Sequence, residues 1–171
     1  EQALEWSNTG IDGAHRFLRR LWLFAYKHQH TLQAGIKKDI QQFDDLPAVA
    51  KDLRRAIHSL LKQADYDYQR IQYNTVVSGC MKMLNTLEDA ALDDSEAAQA
   101  AFAESTSILL RTLYPIVPHI CWTLWRELGF AERFGDLLDA PWPQVDEAAL
   151  IADEIKMTLQ VNGRVRGHIT V

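Results

Sequence analysis

The side chains most able to do chemistry in this 171-residue chain are six histidines, two cysteines and 23 carboxylates, and their spacing assembles no catalytic set. The histidines stand at 15, 28, 30, 58, 119 and 168. His28 and His30 are two apart, so on a helix they point to different sides. No His-Glu-x-x-His or Cys-x-x-Cys occurs, which argues against a zinc centre. Cys80 and Cys121 each sit in apolar helical surroundings and read as reduced, buried small hydrophobes. Asp93 and Asp94 read as a solvated loop rather than an acid pair. Gly10-Ile11-Asp12-Gly13 can tighten the entry to a helix N-terminus, where an anion is welcome. The same glycines equally let a chain pass close to a neighbour.

Cationic side chains carry a stronger pattern. At 100° per residue, Arg16, Arg20 and Lys27 fall within about 40° of one another on a helix, with Arg19 beside them. Lys51, Arg55, His58 and Lys62 form a second stripe, opposite Leu53 and Leu60. Two such stripes on neighbouring helices make a ridge that suits a phosphate backbone, with affinity and register but no base readout. Plain solvation is the competing reading, because soluble helices put Lys and Arg outside and pair them with Asp and Glu.

The elements that must hold these residues are mostly helical. An apolar face with helical period runs through Ile11, Ala14, Leu18, Leu21 and Ala25, predicting a first helix from Ile11 to about His28. Residues 33–45, with Gly35, read as a connection. A second helix is expected from Pro47 to about Arg70, stacking Leu53, Ile57, Leu60, Ala64 and Ile71. A third is capped by Asn74 and passes Val77, Met81, Leu84 and Leu87. Ser95 caps a fourth over 96–113. Pro115 and Pro118 mark a break, and a fifth helix then runs to Gly129. Residues 130–150 read as irregular, with Pro141-Trp142-Pro143 as a rigid tether. Residues 155–161 and 164–171 alternate with period two around Asn162-Gly163, the pattern of a hairpin. The fold class is therefore mostly α, a bundle of about five helices over 1–150 followed by a terminal β-hairpin over 151–171. Trp22 and Trp122 are expected in the core, while Trp6 and Trp142 are candidates for contacts with another domain.

Composition agrees with a folded protein: 47% hydrophobic, 24% charged, net charge -5. The charge is uneven, with 12 basic and 9 acidic residues before position 83 and 6 basic and 14 acidic after it. The first half is the better candidate for meeting a polyanion. No apolar run of membrane-spanning length and no charged-then-apolar leader is visible, and the expected location is cytoplasmic. Both ends suggest a piece of a longer chain.

The segment Leu4-Glu5-Trp6-Ser7-Asn8-Thr9-Gly10-Ile11-Asp12-Gly13-Ala14-His15-Arg16-Phe17-Leu18-Arg19-Arg20-Leu21-Trp22 closely resembles the entry to the anticodon-binding helical domain of bacterial-type leucyl-tRNA synthetases. The likeness continues through Leu53-Arg54-Arg55-Ala56-Ile57-His58, Tyr73-Asn74-Thr75-Val76 and Leu113-Tyr114-Pro115-Ile116-Val117-Pro118-His119-Ile120. It ends with Ala140-Pro141-Trp142-Pro143 and Val161-Asn162-Gly163-Arg164-Val165-Arg166-Gly167. The resemblance implies a class I synthetase that uses ATP and Mg to join leucine to its tRNA. Neither the His-Ile-Gly-His-like nor the Lys-Met-Ser-Lys-Ser-like signature of that family occurs here, so this chain alone is expected to lack catalysis and to need no cofactor.

The implied role is to bind and position the tRNA body, with leucine tRNA and the catalytic and C-terminal domains of the same polypeptide as partners, and neither membrane nor DNA. Arg16, Arg19, Arg20, Lys27, Lys51, Arg55, His58 and Lys62 become candidate backbone contacts, joined by Arg164 and Arg166 from the family motif. A scaffold with little tRNA affinity is the alternative. An autonomous enzyme would need polar side chains converging inside the bundle, and the inward faces read as apolar and aromatic.

Overall fold

The computed structural model describes residues 8–151, 156–161 and 164–170, with only the backbone described for residues 8–9 and for the last two segments. Among the described residues there are seven α-helices: α1 (Asn8–Lys27), α2 (Gln29–Ile36), α3 (Ala48–Gln69), α4 (Tyr73–Asp89), α5 (Glu96–Leu113), α6 (Pro118–Glu127) and α7 (Phe130–Phe134). Two 3-10 turns, Ile40–Gln42 and Ala148–Leu150, lie in the connections.

α5 is the central helix. It is buried on all sides, from Ala97 to Leu113, and α2, α3, α4 and α6 pack around it. Its alanine-rich start explains how. Ala97, Ala98, Ala100, Ala101 and Ala103 are all buried, and small side chains let neighbouring backbones come close. Gly35 of α2 completes this contact. A Cβ there would lie 2.6 Å from the Gln99 carbonyl carbon, so only glycine fits. Ser95 caps α5 by accepting from the Ala98 N–H at 3.2 Å.

The expectation of about five helices is corrected to seven. α2 is hidden in the sequence because Gly35 and its polar neighbours read as a connection, whereas this glycine serves helix packing. No breaker separates α1 from α2. The chain bends at His28, whose N–H still bonds the Phe24 carbonyl at 3.0 Å. The His28 ring packs on Phe24 and Phe102 at 5.0 and 5.3 Å, and burial, aided by Lys27, lowers its pKa. α7 has only five residues, too few for periodicity to reveal. It follows Gly129, which ends α6 in the left-handed region with φ 93°. α4 begins at Tyr73 behind Gln72, with no side-chain cap, so Asn74 is not its cap.

The hairpin expectation is corrected in its register. The backbone pairs β1 (Lys156–Val161) with β2 (Arg164–Thr170) antiparallel, but the register breaks between Leu159 and Gln160, so the uniform two-residue alternation does not hold. The Asn162-Gly163 turn lies outside the described residues.

Several core assignments change. Ile11 and Ala14 are exposed, and the buried face of α1 begins at Phe17 and continues through Leu21, Phe24 and Ala25. Ile71 is exposed, not stacked on α3: it lies past the helix end with φ 58°, a strained conformation for a β-branched residue. Trp22 and Trp122 are more than one-third exposed, and the core tryptophan is Trp125. Its ring stacks on Phe130 at 4.8 Å and its Nε1 donates to the Gly135 carbonyl at 2.9 Å. Cys80 and Cys121 are buried free thiols, and burial pushes both up to about 12.

Candidate nucleic-acid interface

The outer face of α1 presents Arg16, Arg19 and Lys27 to solvent, opposite Phe17, Leu21, Phe24 and Ala25. Among the described residues none of these three cations has an ion-pair partner. Trp22, Leu23 and Tyr26 are exposed on the same helix, so the face mixes cations with apolar and aromatic surface. Arg20 differs. Its Nη2 donates to Asn85 Oδ1 at 2.7 Å and pairs with Glu88, tying α1 to α4. Gly10 to Gly13 lie within α1, so they do not form the tight entry loop considered from sequence.

The expected stripe on α3 is corrected. Lys51 pairs with Asp45 at 3.0 Å, Arg55 with Asp52 one turn earlier, and Lys62 with Glu147 at 3.0 Å. These cations are compensated locally, as exposed helix charges commonly are. His58 is not on the surface at all, being 2% exposed. The returning segment near Asp146 covers it, and a wheel drawn on one helix cannot show that. His58 Nδ1 accepts from the Asp146 backbone N–H at 3.1 Å, and its Nε2 lies 3.4 Å from Glu104 Oε1. The acceptor role of Nδ1 places the ring proton of a neutral imidazole on Nε2.

His58 belongs to a buried charge cluster that sequence reasoning missed. Arg54 forks onto Glu104, Nε to Oε2 at 2.6 Å and Nη2 to Oε1 at 3.0 Å. The same Nη2 reaches Asp146 Oδ2 at 2.7 Å. One guanidinium thus joins α3, α5 and the segment leading to residue 151. Burial pushes the Glu104 carboxyl up, but hydrogen bonds from His58 and Arg54 outweigh it and hold the group below its ordinary range. The Arg54 hydrogen bond likewise holds Asp146 low. Burial alone would lower the Arg54 pKa, and its two carboxylate partners raise it instead. A signal was present in sequence: Arg54 lies three residues before Ile57 and seven before Leu61, on the inward side of α3.

Trp142, expected to meet another domain, docks on its own bundle. Its Nε1 donates to Asp65 Oδ1 at 2.7 Å and its ring meets Tyr68 edge-on at 5.2 Å. Part of the ring still lines an apolar cleft with Tyr73, Pro115 and Ile116. Trp6 lies outside the described residues, and Arg164 and Arg166 fall on β2, where the backbone alone is described. Among the described residues, no group of three or more His, Cys, Asp or Glu side chains is placed to hold a metal ion. No described helix is long and apolar enough to cross a membrane.

Comparison with known proteins bears on the family and the fold. A family model for the anticodon-binding domain of tRNA ligase matches residues 50–171. The leucine–tRNA ligase of Bordetella pertussis is 60% identical over the whole chain, and that of Herminiimonas arsenicoxydans is 56% identical. The chain spans 19% of the length of each of these relatives. The LeuRS chain in a crystal structure of the Agrobacterium radiobacter K84 agnB2 LeuRS-tRNA-LeuAMS ternary complex shares the fold, with a TM-score of 0.78 at 21% identity. That match covers 98% of this chain and 20% of the other. With the family model matching most of the chain, the chain belongs to the family of anticodon-binding domains of tRNA ligases.

Proposed function

We propose that this chain binds and positions the tRNA body within a leucine–tRNA ligase, and that it does so through the outer face of α1. One observation carries the reading: Arg16, Arg19 and Lys27 share an exposed helix face and have no ion-pair partner among the described residues. Such cations hold phosphates without reading bases. Holding the tRNA body involves no bond-making, but it sets where the acceptor end can reach. Arg20 contributes indirectly, by fixing α1 against α4 through Asn85 and Glu88.

On this reading residues 1–150 are the helical module, and residues 151–171 begin a C-terminal domain. The whole enzyme works in the cytoplasm. It uses ATP and Mg to attach leucine to its tRNA, and the chemistry lies in other parts of the polypeptide. The apolar cleft beside Trp142 is assigned to contact one of those parts, and Trp6 is assigned the same role. Arg164 and Arg166 add tRNA contacts from the C-terminal side.

A scaffold reading has one specific observation in its favour: Lys51, Arg55 and Lys62 are each already matched by a carboxylate. Salt dependence separates the two. Titrating the chain with leucine tRNA at low and moderate salt should give binding that weakens steeply with salt. A folded chain with no binding at low salt would leave the scaffold reading in place.

A further inference from the structure

A cavity of about 300 Å³ lies between α2, α5, α7 and the Ala140-Pro141 segment, away from the outer face of α1. Its floor is aromatic, built from Trp125, Phe130 and Phe134. Arg111 enters from α5 and Arg133 from α7. Arg111 donates from Nε to the Ser107 carbonyl at 3.4 Å and from Nη1 to the Pro141 carbonyl at 3.0 Å. Arg133 Nη1 donates to the carbonyls of Ile36 and Lys38. Among the described residues neither guanidinium has a carboxylate at ion-pair distance.

Two carboxylates line the same cavity, and both have other commitments. Glu104 is held by Arg54 and His58, and Asp39 accepts from the Gln41 N–H at 3.0 Å. Arg111 is half-buried, where a guanidinium without a counter-ion is costly, whereas Arg133 lines the same cavity from an exposed position, and each keeps donors unused. Burial pulls the Arg111 pKa below its ordinary value and outweighs the opposite pull of the Glu104 charge.

We infer that this cavity is an oxyanion site, in which Arg111 and Arg133 together take a phosphate group. The phosphate is either free in solution or part of an RNA backbone. The site is separate from the proposed α1 face and does not depend on it.

The test uses the full 171-residue chain and inorganic phosphate, titrated calorimetrically against chloride of equal ionic strength. Saturable phosphate binding is expected, with a loss of about tenfold or more in Arg111→Gln. Arg133→Gln should weaken binding similarly, and it covers the case in which the Arg111 variant does not fold. Asp39→Asn should strengthen binding by removing a like charge, and Lys82→Gln, on the exposed side of α4 and outside the cavity lining, should leave it unchanged. Leucine tRNA identifies the source. If phosphate competes with the tRNA and Arg111→Gln weakens the tRNA complex, the phosphate belongs to RNA. If only inorganic phosphate responds, the site takes a free phosphate. Absence of saturable phosphate binding, or binding equal in all folded variants, would overturn the inference.

Discussion

Replacing Arg54 by Met removes the one cation that serves two partly buried carboxylates. The wild-type side chain is 9% exposed, and Glu104 and Asp146 are 22% and 29% exposed. Breaking a fully buried ion pair from one side costs about 3–5 kcal/mol. The residual solvent access of the carboxylates lowers that here to about 2–4 kcal/mol. For a chain of this length each kcal/mol moves Tm by about 2–4 °C, so a drop of roughly 5–15 °C is expected at neutral pH.

The pH dependence gives a second, independent readout. Glu104 and Asp146 have folded-state pKa values below their ordinary ones. Their contribution to stability is present above the unfolded carboxylate range, near pH 4, and is lost as pH falls through the folded values. Without Arg54, burial dominates at Glu104 and its pKa moves up. The stability gap between wild type and variant should therefore be full at pH 7, begin to shrink as pH falls through the variant's raised Glu104 value, and go on shrinking below about pH 4 as the wild-type carboxylates protonate. Thermal unfolding followed by circular dichroism from pH 7 to about pH 3 measures both. Equal stability at pH 7, or a gap that stays constant into acid, would refute the role given to the cluster.

Two glycine substitutions should act with opposite signs. Gly35→Ala forces α2 away from the Gln99 backbone and should lower Tm markedly, whereas Gly13→Ala, with nothing within 4 Å of the new methyl, should be neutral or stabilise by about 0.5–1 kcal/mol. Thermal melts of the two variants side by side check this. Cys80 and Cys121, both raised to about 12 by burial, should resist a thiol-specific disulfide reagent at pH 8 in the native protein and react fully once it is denatured.

What could be read in the sequence follows from the range of each signal. Local signals succeeded. Pro47, Ser95, Pro118 and Gly129 act on the chain within a turn or two, and α3, α5 and α6 begin or end beside them. Signals that depend on a distant partner failed. Gly35 looks like a loop residue until α5 is laid against it, and then its missing side chain is what keeps the helix in place. His58 and Lys62 share a stripe on the wheel, yet the segment around Asp146 and Glu147 buries the first and neutralises the second. Arg54 sits inside a recognised family block, but its function is visible only when Glu104 and Asp146, 50 and 92 residues away, arrive beside it. The α1 stripe keeps Arg16, Arg19 and Lys27 because no folded segment among the described residues brings a carboxylate to them.

Whether these three cations hold tRNA is tested most directly by a salt series on leucine tRNA binding. Arg16→Glu/Arg19→Glu/Lys27→Glu should weaken binding and flatten the dependence of log K on log salt by about 1 for each phosphate no longer neutralised. Lys51→Glu/Arg55→Glu/Lys62→Glu, acting on cations already paired within the protein, should leave that slope nearly unchanged. A triple α1 variant that remains folded and binds with the wild-type affinity and slope would contradict the proposed role of this face.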